Sequence, residues 1–208
     1  NETADLAEFE KHGADFVFAP SKEEIYPPSE VLAAVDPGPV ANLLEGAHRP
    51  GHFEGVATVV ARLFSIISPT KATFGEKDAQ QLRVIQHVNE SLGSGIEIIP
   101  IPTVREEDGL AISTRNAYLS PEERQAATIL FKALTIAKLS FDSGERSGEV
   151  LRFMLDSILA GEPLAEVDYA SIADVDTFGE LDEVDHSAQA LLAVKIGNAR
   201  LIDNFLLA

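Results

Sequence analysis

The densest run of chemically capable side chains in the sequence is Phe74-Gly75-Glu76-Lys77-Asp78-Ala79-Gln80-Gln81. Gly75 has no Cβ, so a ligand can approach the backbone closely there. A helix opening just after it would offer free N–H groups and a partial positive charge to an anion. Lys77 adds a compact full charge suited to phosphate. Asp78 can accept a hydrogen bond from a ribose hydroxyl, and Gln81 can both donate and accept, as recognition of a hydroxy acid requires. The same spacing fits a purely local role, with Asp78 and Gln81 as the two partners of a helix capping box and Gly75 shaping the turn. That second reading leaves Lys77 without a task.

Two further runs carry candidate groups. Thr103-Val104-Arg105-Glu106 and Ile112-Ser113-Thr114-Arg115-Asn116 flank Gly109, and the spacing predicts a mobile loop. Hydroxyls beside an arginine can grip a phosphate, because guanidinium pairs with two oxygens at once. The alternative is a polar linker with Arg115 in a surface ion pair. In Arg49-Pro50-Gly51-His52-Phe53, His52 is either a structural group at a helix start or an acid–base group. The remaining histidines, His12, His48, His87 and His186, lack metal-ligand spacing, so no metal site is expected. Acid pairs such as Glu23-Glu24, Glu106-Glu107 and Glu122-Glu123 read as solvated faces. There is no nucleophilic triad, no phosphate-binding Walker loop and no GxGxxG. Spacing alone therefore reaches an anion or nucleotide site on an α/β sheet.

The elements that must position these groups follow from periodicity. A helix over 2–12 ends at Gly13, and Asp15–Pro20 reads as a short buried strand. Residues 21–48, rich in Pro, Gly and Glu, read as an irregular connection. Phe53, Val56, Val60, Leu63 and Ile67 step along one apolar helix face that Pro69 terminates. A strand over Lys71–Phe74 follows, with Gly75 as a break. Next come a helix over 78–92, with Leu82, Ile85, Val88 and Leu92 inward, and a strand over Ile96–Ile101. Strand and helix in alternation predict a parallel sheet, whose ligands sit at the carboxyl ends of the strands. Those ends lead into the Lys77 run and the Thr103 run. The chain opens on a helix, so the sheet is expected to lack its first strands. Beyond residue 115 the pattern changes. A capping box at Ser120-Pro121-Glu122-Glu123 starts a helix to about Ser140, and a second helix covers 147–160. Strands at Val167–Ala173, Ala190–Ile196 and Arg200–Leu207 complete a small α+β unit.

Composition bounds the remaining choices. The 208 residues carry a formal charge of −18 and no cysteine. Thiol chemistry and disulfides are excluded, which fits a reducing cytosol. A polyanion-binding surface is disfavoured, so no nucleic acid is expected as a partner. No apolar run approaches membrane-spanning length, and the acidic start is unlike a signal peptide, so a cytoplasmic location away from membranes is expected. The charge is uneven. Residues 1–48 hold ten acids and two bases (−8), residues 104–208 nineteen and nine (−10), and residues 49–103 five of each (0). A neutral middle in an acidic chain is where a small anion would be received.

Taken together in order, Arg49-Pro50-Gly51-His52-Phe53 with Gly55-Val56, Phe74-Gly75-Glu76-Lys77-Asp78 with Gln80-Gln81, Pro102-Thr103-Val104-Arg105-Glu106, Asp108-Gly109-Leu110-Ala111, Ser113-Thr114-Arg115-Asn116 with Tyr118-Leu119, and the closing Arg200-Leu201-Ile202-Asp203-Asn204 closely resemble the pantothenate synthetase family. The resemblance implies a Rossmann-type nucleotidyltransferase domain over 1–114, lacking its first strands and the family's His-x-Gly-His motif, and a small α+β lid over 115–208, usually in a homodimer. It implies a ligase that activates (R)-pantoate with Mg²⁺-ATP to pantoyl adenylate, releases pyrophosphate, and passes the acyl group to β-alanine with release of AMP. Carried onto this chain, Gly75 and Glu76 contact the nucleotide through backbone, and Lys77 neutralises phosphate in the transition state. Asp78 holds ribose, Gln81 holds pantoate, and Val104 borders adenine. Ile112, Ser113, Thr114 and Arg115 close on the phosphates, with Lys77, Ser113 and Arg115 as the catalytic set. Ala79 and Thr114 stand where the family commonly shows Tyr and Ser. Two alternatives stay open at this point: a shortened, non-catalytic nucleotide-binding or dimerisation module of the same fold, and another adenylyl-transferring enzyme acting on a different acid.

Overall fold

The computed structural model describes residues 2–28 and 34–208, which fall into two compact units, 1–34 and 35–208. In the first, α1 (Glu2–Lys11) is capped by Gly13 at φ +76°, as the sequence predicts, and α2 (Lys22–Ile25) opens on a capping box between Ser21 and Glu24. The strand expected over Asp15–Pro20 is absent. These residues pair with no strand among the described residues, and Phe16 is 95% exposed. Strand backbone is stable only with a hydrogen-bonding neighbour, and apolar side chains alone do not supply one.

In the second unit, a 3₁₀ turn over Pro39–Asn42 and α3 (Leu44–His48) occupy part of the segment expected to be irregular. Helix α4 (His52–Ile67) forms where predicted, but its buried residues are Phe53, Ala57, Val60 and Phe64, while Ile67 is exposed. The apolar stripe is wide, and the small Ala57 lets the helix approach its neighbours, which rotates the inward face past Val56 and Leu63. Strand β1 (Lys71–Gly75) runs parallel to β2 (Glu97–Ile101), with Thr73 opposite Ile99 and Gly75 opposite Ile101. Gly75 is therefore the last strand residue, in ordinary extended backbone (φ −73°, ψ 133°), rather than a break. A 3₁₀ turn over Glu76–Asp78 leads into α5 (Ala79–Leu92), which buries Gln80, Val84, Ile85 and Val88 and leaves Leu92 exposed.

The remainder is a layer of helices on an antiparallel sheet. Helix α6 (Pro121–Ala126) begins with the predicted Ser120–Glu123 capping box, but the single helix expected to Ser140 is interrupted before α7 (Ile129–Asp142). The Thr128 amide bonds back three residues to the Gln125 carbonyl, and its hydroxyl donates to the same oxygen at 2.8 Å. A side chain competing for the ladder in this way tightens and ends the turn. Helix α8 (Gly148–Leu159) packs beside α7. Both cover the sheet of β3 (Ala165–Asp174), β4 (Ala188–Ile196) and β5 (Ala199–Leu207), in the order β3-β4-β5. Leu134, Leu155, Ile172, Leu192 and Leu207 are among the fully buried residues between the two layers. A second cluster joins Phe53 and Ala57 of α4 and Val84 and Val88 of α5 to Leu191 of β4, so the helices that flank the parallel pair share a core with the antiparallel sheet.

Candidate functional site

The site grows from the carboxyl end of β1. The extended backbone at Gly75 turns at Glu76–Asp78, and the turn places Lys77 on a wall common to two cavities. One is lined by Arg49, His52, Lys77, Asp78, Gln81 and Tyr169 among others. The other is lined by Lys77, Ser113, Asn116 and Asp203 among others. A Cβ placed on Gly75 would meet nothing within 4 Å, so this strand end faces open space where a ligand can approach.

Which side chains are free decides between the functional and the local readings. Asp78 occupies the N-cap of α5, yet its carboxylate accepts no capping hydrogen bond, so the capping-box alternative fails. The structural glutamine is its neighbour Gln80, 3% exposed, whose Nε2 donates to the carbonyls of Val40 (2.7 Å) and Leu43 (2.8 Å) while its Oε1 accepts from the Glu45 amide (3.0 Å). Among the described residues, the side chains of Lys77, Asp78, Gln81 and Arg115 have no hydrogen-bond or ion-pair partner, so the surface ion pair considered for Arg115 is not made. Unpartnered polar groups at strand and helix ends, beside groups whose bonds are all made within the fold, are available to a ligand.

The second run is ordered rather than loose. Arg105 and Ala111 form an antiparallel bridge, the Ile112 amide donates to the Val104 carbonyl (2.9 Å), and Gly109 closes the turn at φ +90°. A Cβ there would lie 2.1 Å from the Phe131 ring, so glycine is required by both backbone and space. Val104 (64% exposed) and Ile112 (50% exposed) stand opposite each other across the bridge and present one apolar face to solvent. Arg105 is not a free phosphate ligand. Its guanidinium forms a paired salt bridge with Asp203 (2.6 and 2.9 Å) and donates to the Gly109 carbonyl (3.0 Å). Ser113 caps the 3₁₀ turn over Thr114–Tyr118 by accepting from the Arg115 amide (3.2 Å), which leaves its own O–H to donate. Thr114 is exposed beside it.

His52 opens α4 with Nε2 3.0 Å from Arg49 Nη1. A guanidinium only donates, so Nε2 accepts and the ring is neutral. Burial first, then the positive charge of Arg49 and more weakly that of Arg115, hold its pKa below the usual histidine value, against the pull of Glu45. Behind it, the buried Glu45 is engaged by Tyr169 Oη (3.0 Å) and Arg200 (2.8 Å), and burial together with the adjacent carboxylate pushes the tyrosine pKa strongly upward. Glu45 and Tyr169 are groups the sequence does not flag, and it names Arg200 and Asn204 only within the closing motif and gives them no task, because each acts through a residue distant along the chain.

This arrangement defines a class: an α/β protein that presents free cations, a free carboxylate and a free amide at the carboxyl ends of two parallel strands. The family model described as pantoate-beta-alanine ligase matches residues 1–206, and the chain belongs to that family and is a ligase. It is 53% identical over 203 residues to the pantothenate synthetase of Roseiflexus sp. (strain RS-1), covering 98% of this chain and 73% of that protein. It is 48% identical over 208 residues to the one from Dehalococcoides mccartyi (strain 195), covering 100% and 77%. The crystal structure of pantothenate synthetase from Thermus thermophilus superposes with a TM-score of 0.93 at 42% identity, covering 99% of this chain and 74% of that one. That of the Francisella tularensis pantoate-beta-alanine ligase complexed with beta-gamma ATP and beta-alanine gives 0.75 at 30% identity, covering 100% and 70%. The Rossmann-type parallel unit with a small C-terminal domain is thus the family fold.

Proposed function

We propose that this chain joins (R)-pantoate to β-alanine in an ATP-dependent reaction that passes through a pantoyl adenylate. The observation that carries the reading is the set of unpartnered side chains lining one cavity, Lys77 and Asp78 on the turn after β1 and Gln81 in the first turn of α5. A pantoate carboxylate oxygen attacks the α-phosphorus of ATP, the α–β bridging P–O bond breaks, and pyrophosphate leaves. The β-alanine amine then attacks the acyl carbon, the acyl–phosphate C–O bond breaks, AMP departs, and the amine proton passes to solvent. Lys77 neutralises charge gathering on the phosphate, aided by Arg115 and the Ser113 hydroxyl, which is the largest kind of catalytic contribution. The backbone of Gly75 and Glu76 meets the nucleotide, Asp78 accepts from ribose, and Gln81 holds pantoate. Val104 and Ile112 offer their apolar face to adenine, with Thr114 closing beside them.

Mg²⁺ is the metal this chemistry uses. Among the described residues no three acidic or histidine side chains cluster as a metal cage. Mg²⁺ keeps most of its waters and needs few protein ligands when phosphates hold it. It therefore belongs with ATP, and the protein's share is the unpaired charges of Lys77 and Arg115. Residues 1–114 form the nucleotide- and pantoate-binding part, residues 115–208 the lid, and the working enzyme is a cytoplasmic homodimer. Among the described residues no helix is long and apolar enough to cross a membrane.

The test is product analysis with the full-length enzyme. ATP, Mg²⁺, pantoate and β-alanine together should give AMP, whereas omission of β-alanine should leave a single burst of pyrophosphate and omission of pantoate should leave nothing. Formation of ADP in place of AMP would overturn the adenylate route.

A further inference from the structure

The turn that carries Lys77 is not held by its own segment alone. It is held from β5, by the side-chain amide of Asn204, whose Nδ2 donates to the carbonyls of both Glu76 (3.0 Å) and Lys77 (2.9 Å). Asn204 is itself buried, and its Oδ1 accepts from Gln189 Nε2 on the neighbouring strand β4 at 2.5 Å. Both amide atoms are thereby used, which fixes the amide against rotation about its last bond. The residues on either side complete the grip. Asp203 holds Arg105 in the paired salt bridge, and the Phe205 ring lies 4.9 Å from the same guanidinium. Successive side chains on a strand point to opposite faces. The middle of β5 therefore holds the segments that leave both parallel strands: Asn204 the turn after β1, and Asp203 with Phe205 the stretch after β2.

We propose that Asn204 is a positioning residue for the reaction: by bonding the Glu76 and Lys77 carbonyls, it sets where the Lys77 ammonium and the amides of its turn meet the phosphates. The proposal rests on the reading of Lys77 given above. A three-residue 3₁₀ turn has few bonds of its own, so an external donor to its carbonyls decides its pose. Placement matters at this point because a shift of about 1 Å in a catalytic group costs up to about 100-fold in rate.

Asn204→Asp in the full-length enzyme keeps the shape and removes the donors. The introduced carboxyl would face the Glu76 and Lys77 carbonyls, with Asp203 beside it on β5, the charged groups of Glu76 and Lys77 on the turn, and Arg105 beyond Asp203. Neutral Gln189 still donates to it. Burial and the neighbouring Asp203 raise the introduced group's pKa, so as pH falls it gains a proton and can donate to one carbonyl. Pantoate-dependent pyrophosphate release should drop about 10- to 100-fold at pH 8, with kcat affected more than the KM for ATP. The ratio of variant to parent rate should climb as pH is lowered toward 6. A second variant, Asn204→Leu, removes donors and acceptor together and should show the rate loss without the pH recovery. Both are assayed well below their own melting temperatures, with folding checked by circular dichroism. A folded Asn204→Asp enzyme with parental kcat, or with a loss that does not vary with pH, would overturn the positioning role while the parent's activity upholds the proposed reaction. A parent enzyme that releases no pyrophosphate with pantoate overturns both.

Discussion

Around the β1 turn, residues of the same chemical type divide into those bonded within the fold and those left open. Arg105 and Lys77 show the contrast. Arg105 is paired with an Asp203 carboxylate that is 1% exposed, and it lies against the rings of both Phe131 (5.2 Å) and Phe205 (4.9 Å), which meet edge to face. Lys77 carries the same charge and has no partner among the described residues. Breaking a buried pair by removing one partner strands the other charge and costs about 3–5 kcal/mol. Asp203→Ala should therefore lower the urea-unfolding free energy by about that amount. Lys77→Ala should leave unfolding within about 0.5 kcal/mol of the parent, because no hydrogen bond or ion pair is lost. Its effect falls on the reaction instead. Removing one stabiliser of transition-state charge costs about 100- to 1,000-fold in kcat, and pyrophosphate release should drop on that scale. Near-parental release, or a large loss of stability on removing Lys77, would show that its charge serves the fold.

At the scale of elements, the sequence is readable wherever a local period dominates. The β1, α5, β2 succession, the Ser120 capping box, α8 and the three C-terminal strands all stand where periodicity puts them, as does the turn that bears the candidate site. What it hides are decisions made by distant partners. Neighbouring Gln80 and Gln81 look alike, yet one is buried against the 40–45 segment and the other faces the cleft. The Asp15–Pro20 run has the composition of a strand and no strand to pair with among the described residues. The break between α6 and α7 falls at Thr128, whose amide and hydroxyl both bond back to the Gln125 carbonyl. Gln80 offers a test of how far one such side chain organises an element. It makes three hydrogen bonds to Val40, Leu43 and Glu45, which hold the 3₁₀ turn and α3 against α5. Gln80→Leu leaves those groups unpaired, each costing about 1–3 kcal/mol where water cannot reach it. Hydrogen exchange should accelerate at the Glu45 amide and over residues 39–48, and remain unchanged in α7, α8 and β4. Acceleration spread evenly across the chain would mean that Gln80 supports the global core rather than this segment.

For the molecule as a whole, the charge of −18 sets two effects of salt against each other. Excess like charge destabilises a compact state by self-repulsion. The favourable pairs that salt would also weaken are of two kinds. Exposed ones such as Lys71–Glu97 contribute at most about 1 kcal/mol. Buried ones, Arg105–Asp203 and Glu45–Arg200, are screened little. Repulsion is therefore the larger salt-sensitive contribution to folding. Binding has the opposite sign, because Lys77 and Arg115 attract phosphate across solvent that ions can enter. The Debye length falls from about 30 Å at 0.01 M to about 3 Å at 1 M salt. Raising KCl over that range should raise the melting temperature of the unliganded protein while weakening its affinity for ATP, measured by calorimetry in the same buffers. KCl is the right salt because strongly excluded anions such as sulfate stabilise proteins regardless of charge. A melting temperature that falls with KCl would make ion pairing, not repulsion, the dominant electrostatic influence on this fold. An ATP affinity indifferent to KCl would mean that the free cations at the end of β1 do not meet the phosphates.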